Sequence, residues 1–424
     1  MKVLALASYP TEAAATRYRL AQFVAPLAER GIELTIHPFI DARLFGRLYK
    51  PGAWLRNVPG LMKSALLRLN ELPAARRADV VLIQREAMIF GPPLIEWLTT
   101  RAAKRPMVLD LDDATYVSYT SPTYGGAGSA LKWFGKTDDL IRWAAIVTCG
   151  NRSIAEYVES KGARARIIPT VVDTAMFLPA PRRDDDPVVL GWIGTHSTFP
   201  YLESIFPVLG ELAKEYRFRL KIVGAGKDEV SIPGVEVENL PWTLEREVSD
   251  FQSIDIGLYP IDASLYSGKW ASGKSGFKAI QYMAVGIPYV ATPVGGSAEI
   301  GEPDTTHFFA TTSDEWRQAL EILLSDVKRR QSMGAAGRRH AVAHYDLQAQ
   351  ADKLAPIDFL STLVQDELLR RQDRLLDRRI TQAGFRDPGK TLDTFDFDFN
   401  KKMPRRLVFE LATGRFVTDR KSVV

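Results

Sequence analysis

The sequence predicts an α/β chain built from two doubly wound domains, and three stretches predict it. Residues 2–38 read strand, helix, strand. KVLALA is an apolar run, and Leu20, Phe23, Val24, Leu27 and Ala28 recur at the spacing of one buried helix face, with Thr16 as the expected cap and Gly31 as the stop. Residues 255–292 repeat the pattern: Asp255–Ile261 is a strand, Phe277, Ile280, Gln281 and Ala284 lie at helical spacing, Gly286 and Pro288 end that helix, and Tyr289–Thr292 is the next strand. Between the two, Pro179, Pro181 and the acidic run Asp184–Pro187 have the composition of a linker. Two Rossmann-like domains, 1–180 and 181–355, are therefore expected to face each other across a cleft. A tail, 356–424, follows them.

Bulk properties bound the function. The 424 residues carry a formal net charge of only +4, which demands no nucleic acid partner. One cysteine, Cys149, rules out an intrachain disulfide and any cysteine-cluster zinc site. No apolar run approaches the length of a membrane span. The apolar part of MKVLALASYP is too short for a signal peptide, so a cytoplasmic protein is expected.

In the first half, ligands of such a sheet bind beyond the carboxyl ends of its strands. Arg17 and Arg19 follow the first strand there, as acceptor ligands or as a solvated first turn. Residues 41–77 differ from their surroundings. Arg43, Arg47, Lys50, Arg56, Lys63, Arg68, Arg76 and Arg77 interleave with large apolar residues such as Leu44, Leu48, Trp54, Leu61, Met62 and Leu66, and Asp41 and Glu71 are the acids. That mixture suits an anionic membrane face or a lipid-linked acceptor, or else a helix pair packed on its own domain. Asp79–Gln84 and Met107–Leu111 are further strands. Arg85 follows the former. Asp110, Asp112 and Asp113 end the latter, as catalytic acids, a metal-binding D-x-D, or a helix cap. Ala144–Thr148 and Arg166–Pro169 complete this half.

A second sheet begins at Val188–Ile193. Gly194, Thr195, His196 and Ser197 form the turn after it, whose backbone N–H groups and hydroxyls suit phosphate, while His196 serves a phosphate or caps the helix. Phe218–Val223 leads to Gly224 and Gly226, and Val235–Glu238 continues the sheet. The loop before the 277–284 helix carries Lys269, Lys274 and Gly276, and Lys278 lies in the helix's first turns. A glycine- and lysine-rich loop entering a helix N-terminus is a ready anion site. Glu315–Ser325 and Val327–Ala343 are closing helices.

The run YMAVGIPYVATPVGG resembles the donor-binding segment of retaining GT-B glycosyltransferases of family 4, and GKSGFKAIQYMA resembles a bacterial polysaccharide-type branch of it. The likeness extends over about 1–354 through PTVVD, GWIG, KIVGAG and DIGLYP. It implies a nucleotide-diphosphate sugar as co-substrate, a glycan or lipid-linked hydroxyl as acceptor, retention of configuration, no metal and no further cofactor. It also implies donor contacts by Gly194, Thr195, His196, Ser197, Gly224, Lys269, Lys274, Gly276, Lys278 and Gln281. Asp110, Asp112 and Asp113 would be the catalytic acids, and Arg17, Arg19 and Arg85 would face the acceptor. Gly273 and Gln281 stand where the family pattern has its two glutamates. An inactive nucleotide-sugar binder and a metal-dependent enzyme of the GT-A type are the alternatives.

From about Phe359 the sequence resembles the start of IstB-like ATPases, the helper proteins of transposition, through QDELLRRQDRLLDRRITQAGF, KTLDTFDFDFN and FELATGRF. The tail is expected to be foreign to the first two domains, mostly helical or disordered, and to lack a P-loop. The last helix of the second domain is expected to be shortened or replaced. A transposition-associated nucleic-acid-binding protein is the further alternative.

Overall fold

Short apolar runs separated by helices build two parallel six-stranded sheets. The computed structural model describes residues 1–48, 54–118, 125–181, 187–264 and 268–354, together with Pro404 and Arg406. By its internal contacts the chain divides into Met1–Leu363 and Val364–Val424. Everything below concerns the first of these.

The first sheet comprises β1 (Lys2–Ala7), β2 (Glu33–Pro38), β3 (Val80–Gln84), β4 (Met107–Leu111), β5 (Ile146–Cys149) and β6 (Ala165–Ile167). Its order is β2-β1-β3-β4-β5-β6. The chain reverses direction of winding between β1 and β3, so the crevice that binds ligands in such sheets opens there. Because neighbouring side chains of a strand point to opposite faces, Leu4 and Leu6 enter one core while Val3, Ala5 and Ala7 enter the other. Both faces are covered by helices, which is why these strands read as continuous apolar runs.

The second sheet comprises β7 (Val188–Ile193), β8 (Phe218–Val223), β9 (Glu236–Leu240), β10 (Ile256–Tyr259), β11 (Tyr289–Ala291) and β12 (His307–Phe309), in the order β12-β11-β10-β7-β8-β9. Counted from β7 this is the 3-2-1-4-5-6 order of dinucleotide-binding sheets, with its crevice between β7 and β10. β12 was not expected, because three residues are too short for periodicity to show. Its helix, Ser313–Ser325, is started by a reciprocal cap in which Thr312 Oγ accepts from the Glu315 N–H and Glu315 Oε2 accepts from the Thr312 N–H at 2.9 Å.

One local expectation is corrected. Thr16 is not a helix cap. It lies inside the helix Ala14–Arg19, fully buried, and its hydroxyl donates to the Tyr9 carbonyl at 2.8 Å. The helix that follows breaks into a 3₁₀ turn, Ala21–Phe23, and a second helix, Val24–Glu29. The last helix of the unit, expected to be shortened or replaced, is present over eight residues, and those after it lie outside the described residues. Leu347–Leu354 returns to the first sheet's side, where Leu347 and Ala351 pack with Phe23 and Val171. The crossing is pinned by Val172 N–H to the Tyr345 carbonyl (3.1 Å), Leu347 N–H to the Val172 carbonyl (2.9 Å) and Thr174 Oγ1 to Asp346 (2.6 Å). Asp352 adds an ion pair with Arg30. The linker expected around 182–186, Lys50, and the tail beyond 354 lie outside the described residues, Pro404 and Arg406 excepted.

Candidate active site

The three acids at the carboxyl end of β4, Asp110 within the strand and Asp112 and Asp113 just after it, have different fates. Asp110 is buried, and its carboxylate accepts from Arg19 (Nε at 3.1 Å, with a shorter contact from Nη2) and from Thr148 Oγ1 at 2.6 Å. Arg19 is itself 9% exposed. Burial alone would lower its pKa, but Asp110 and Asp112 more than offset this, and the guanidinium stays charged. Asp112 is forked by Arg85, Nε to Oδ1 at 2.6 Å and Nη2 to Oδ2 at 2.7 Å. Burial opposes its ionisation, yet Arg85 holds it below the usual carboxylate range. Arg85 adopts the left-handed conformation with φ of 60° and donates its N–H to the Asp110 carbonyl at 2.8 Å. Such a backbone is uncommon outside glycine and marks a position held by its surroundings.

Asp113 is the acid left over. Its Oδ1 is buried and has no hydrogen-bond partner among the described residues, and its Oδ2 lies 3.6 Å from Arg85 and 4.0 Å from Lys274 Nζ of the opposite domain. Burial and the Asp113 charge together push the Tyr259 hydroxyl, at the end of β10, well above its usual range. The acid therefore stands where the two carboxyl edges meet.

On the other side of the cleft, Lys274 lies over the Trp270 ring at 5.0 Å. Gly276 starts the helix Phe277–Ala284 at φ of 70°, and a Cβ there would come 2.3 Å from Ile300 and 2.7 Å from the Gly296 backbone. The loop before it is tied to the turn after β11 by the Gly296 N–H, which donates to the Lys274 carbonyl at 2.7 Å. This is the structural reason for the TPVGG run. In the first turn of the helix, Lys278 donates to Gln281 Oε1 at 3.1 Å and lies 5.2 Å from the Phe251 ring. Burial lowers its pKa to about 8; Glu247 partly opposes this and Arg17 adds to it. Gln281 is fully buried, and its Nε2 has no partner among the described residues.

Gly194, Thr195, His196 and Ser197 form the turn at the end of β7, with the last three exposed. Gly224 closes behind Gly194, whose carbonyl oxygen lies 2.4 Å from where a Cβ would stand. The side chain of Lys269 lies outside the described residues.

Several residues that join the domains escaped the sequence reading. Glu247 accepts from Tyr18 Oη at 2.8 Å and from Arg17 at 3.1–3.2 Å, so Arg17 spans the cleft rather than facing it. Tyr18 also packs against Phe277 at 4.5 Å. Asn151 caps its own helix and sends its amide N–H groups to the Ser272 and Lys274 carbonyls at 3.0 and 2.9 Å. Asn151, after a strand and before the helix Arg152–Ser160, was readable as a cap but not as an interdomain tie. The position that the family pattern gives to its first glutamate, Gly273, sits against the other domain: a Cβ there would stand 2.3 Å from the Ala114 Cβ. No side chain fits. Of the expected residues, the structure brings Asp113, Lys274 and Arg85 together, sets Lys278 with Gln281, and spends Arg17, Arg19, Asp110 and Asp112 on ion pairs.

Comparison with known proteins places this geometry. The family described as "Glycosyl transferase-like" matches residues 207–355, and that of the "IstB-like ATP binding protein" matches 331–424. HepE of Anabaena, solved with UDP-glucose, superposes with a TM-score of 0.62 at 16% identity, covering 85% of this chain and all of that one. The fold is thus GT-B. A GDP-mannose-dependent monoacylated phosphatidylinositol monomannoside mannosyltransferase of Corynebacterium glutamicum is 24% identical over 208 residues, 45% of this chain and 55% of the relative. An insertion-sequence ATP-binding protein of Mycobacterium tuberculosis is 34% identical over 77 residues, 18% of this chain and 30% of the relative. The chain thus spans about a third and about half of these relatives' lengths.

The IstB-like match starts earlier than Phe359. Residues 331–354 fall in the helices Val327–His344 and Leu347–Leu354, where Met333 enters the second sheet's core and Arg338 donates to the carbonyls of Phe177, Ala284 and Thr174. They are working parts of the GT-B unit. The expectation that the tail holds no P-loop pattern is corrected by the sequence: Gly384, Gly389, Lys390 and Thr391 have G-x-x-x-x-G-K-[ST] spacing. The residues before them, Arg378 to Ala383, lack the apolar strand that such a loop follows. All of them lie outside the described residues.

Proposed function

We propose that this chain, which carries a glycosyltransferase-like domain of the GT-B fold followed by an IstB-like stretch, moves a sugar from a nucleotide-diphosphate sugar to a hydroxyl of a glycan or lipid-linked acceptor. The observation that carries the reading is the meeting of Asp113 and Lys274, 4.0 Å apart, one from each carboxyl edge, with one Asp113 oxygen unpartnered among the described residues. As the glycosidic bond breaks, negative charge develops on the departing nucleoside diphosphate. Lys274 and Lys278 stabilise it in place. Asp113 orients the acceptor hydroxyl and takes its proton, while Arg85 holds Asp112 and steadies Asp113. The unpartnered Gln281 amide supplies a hydrogen bond where the family pattern has its second carboxylate. We read the transfer as retaining and metal-independent, in cell-surface polysaccharide synthesis at the cytoplasmic side. For the metal-independent part, the support is that the oxygens of Asp110 and Asp112 are taken by Arg19, Thr148 and Arg85 rather than converging as a D-x-D pair. Release of nucleoside diphosphate from a panel of nucleotide sugars, with the product's anomeric configuration read by NMR, tests it. No release from any donor, or an inverted product, contradicts it.

A pH dependence follows from Lys278. Phosphate binds its protonated form, so the free protein's pKa of about 8 is raised in the complex. Nucleoside diphosphate affinity is then level between about pH 7 and 8, where the ligand's terminal phosphate is ionised, and falls by up to about tenfold per pH unit above that, until the pKa of the complex is reached. Calorimetry should show proton uptake on binding near pH 8–9 in the wild type and none in Lys278→Met. Identical pH profiles would remove Lys278 from the donor site.

A further inference from the structure

The helix Trp54–Leu69 has two apolar faces where a surface helix needs one. Its inner face holds it to the domain: Leu61 and Ala65 pack on the Phe39–Leu48 cluster. Asn57 and Arg68 are buried beside them. Arg68 is an anchor rather than a surface charge. Its guanidinium donates to the carbonyls of Ala7 (2.8 Å), His37 (2.8 Å) and Ala87 (3.0 Å), at the carboxyl edge of β1 and β2. The outer face is Val58, Met62, Leu66 and Leu69, spaced four, four and three residues apart, which is one stripe of a helix. These four are 40%, 61%, 64% and 47% exposed. A solvent-facing stripe of large apolar residues over three turns marks a contact surface.

Charge says what it contacts. Arg43, Arg47, Arg56, Lys63, Arg76 and Arg77 are exposed on this helix and the segments flanking it. Of the two acids in the same stretch, Glu71 is engaged by His37 at 2.7 Å, and Asp41 caps the Leu44 N–H at 2.7 Å. The apolar stripe is thus bordered by cations whose local counter-charges are committed elsewhere, the pattern of a helix lying in the interface of an anionic bilayer. We propose that Val58, Met62, Leu66 and Leu69 insert between the headgroups of an anionic lipid surface, with the flanking arginines and Lys63 over the phosphates. The Arg68 anchor at the carboxyl edge places this face beside the acceptor half of the cleft. The inference goes beyond the transfer chemistry and does not need it to be correct.

Co-sedimentation of the full chain with vesicles tests it, using phosphatidylcholine alone and phosphatidylcholine with phosphatidylglycerol. Binding is expected to need the anionic lipid and to weaken as salt is raised. Met62→Glu and Leu66→Glu are each expected to reduce it by about tenfold or more, with unchanged melting temperature because both side chains face solvent. Equal pelleting with neutral and anionic vesicles, or binding that survives both substitutions, overturns the proposal. So does a lipid-free dimer by light scattering that either substitution dissociates, because the stripe's occupant is then a second copy of the chain. Absence of any binding overturns it as well.

Discussion

Replacing Asp113 with Asn is expected to lower the turnover number by about 100- to 1,000-fold while leaving nucleoside diphosphate affinity and the melting temperature nearly unchanged. The side chain keeps its shape and loses its basicity. Asp113 is only weakly engaged by the described residues: one oxygen has no partner among them, and the other is 3.6 Å from Arg85 and 4.0 Å from Lys274. A group held for packing would not be left so. Steady-state kinetics with the preferred donor, alongside calorimetry of the nucleoside diphosphate, separates the two effects. If turnover stays within a factor of three, the acceptor proton leaves by another route.

Asp110→Ala should behave in the opposite way, with a loss of about 3–5 kcal/mol of unfolding free energy, because it strands the Arg19 guanidinium in the core. Arg19 and Asp110 have side chains only 4% and 5% exposed, and Thr148 donates to the same carboxylate. Arg19→Met alone should cost a similar amount, and the pair Arg19→Met with Asp110→Leu should recover most of it, since two apolar groups leave no unpaired charge. Urea unfolding of the three variants measures this. If Asp110→Ala folds as stably as the wild type and only turnover falls, Asp110 belongs to the chemistry and not to the frame.

The contrast between Asp110 and Asp113 shows what a sequence can carry. Asp110 lies in β4 and Asp113 two residues past its end, in the run LDLDD, and nothing local marks their different partners. The partner that removes Asp110 from the site, Arg19, lies 91 residues away, and the one that takes Arg17 across the cleft, Glu247, lies 230 residues away. Such pairings are properties of the assembled sheets. What was legible was whatever repeats locally. Buried parallel strands show as apolar runs, so nearly every strand was placed to within one or two residues. Gly286 stopped its helix as expected, at φ of 74°. Thr16 misled because a threonine before a helix is usually a cap, and here a buried carbonyl needed its hydroxyl more. Gly273 looked like a lost carboxylate. The structure gives the physical reason: Ala114 of the facing domain fills the space a side chain would need.

The central claim is that a nucleotide-diphosphate sugar lies between the Asp113 edge and the Lys274–Lys278 segment. Thermal-shift titration of the full chain with UDP-, GDP-, ADP- and TDP-sugars addresses it most directly, repeated for Lys274→Ala, Lys278→Met and Asp113→Asn. The predicted result is a rise in melting temperature with the sugars of at least one nucleotide. That rise should be retained by Asp113→Asn and weakened in each lysine variant, by the roughly 1–3 kcal/mol of binding that a charge-assisted hydrogen bond contributes. A wild-type protein that no nucleotide sugar stabilises, or a stabilisation that both lysine variants keep in full, would contradict it.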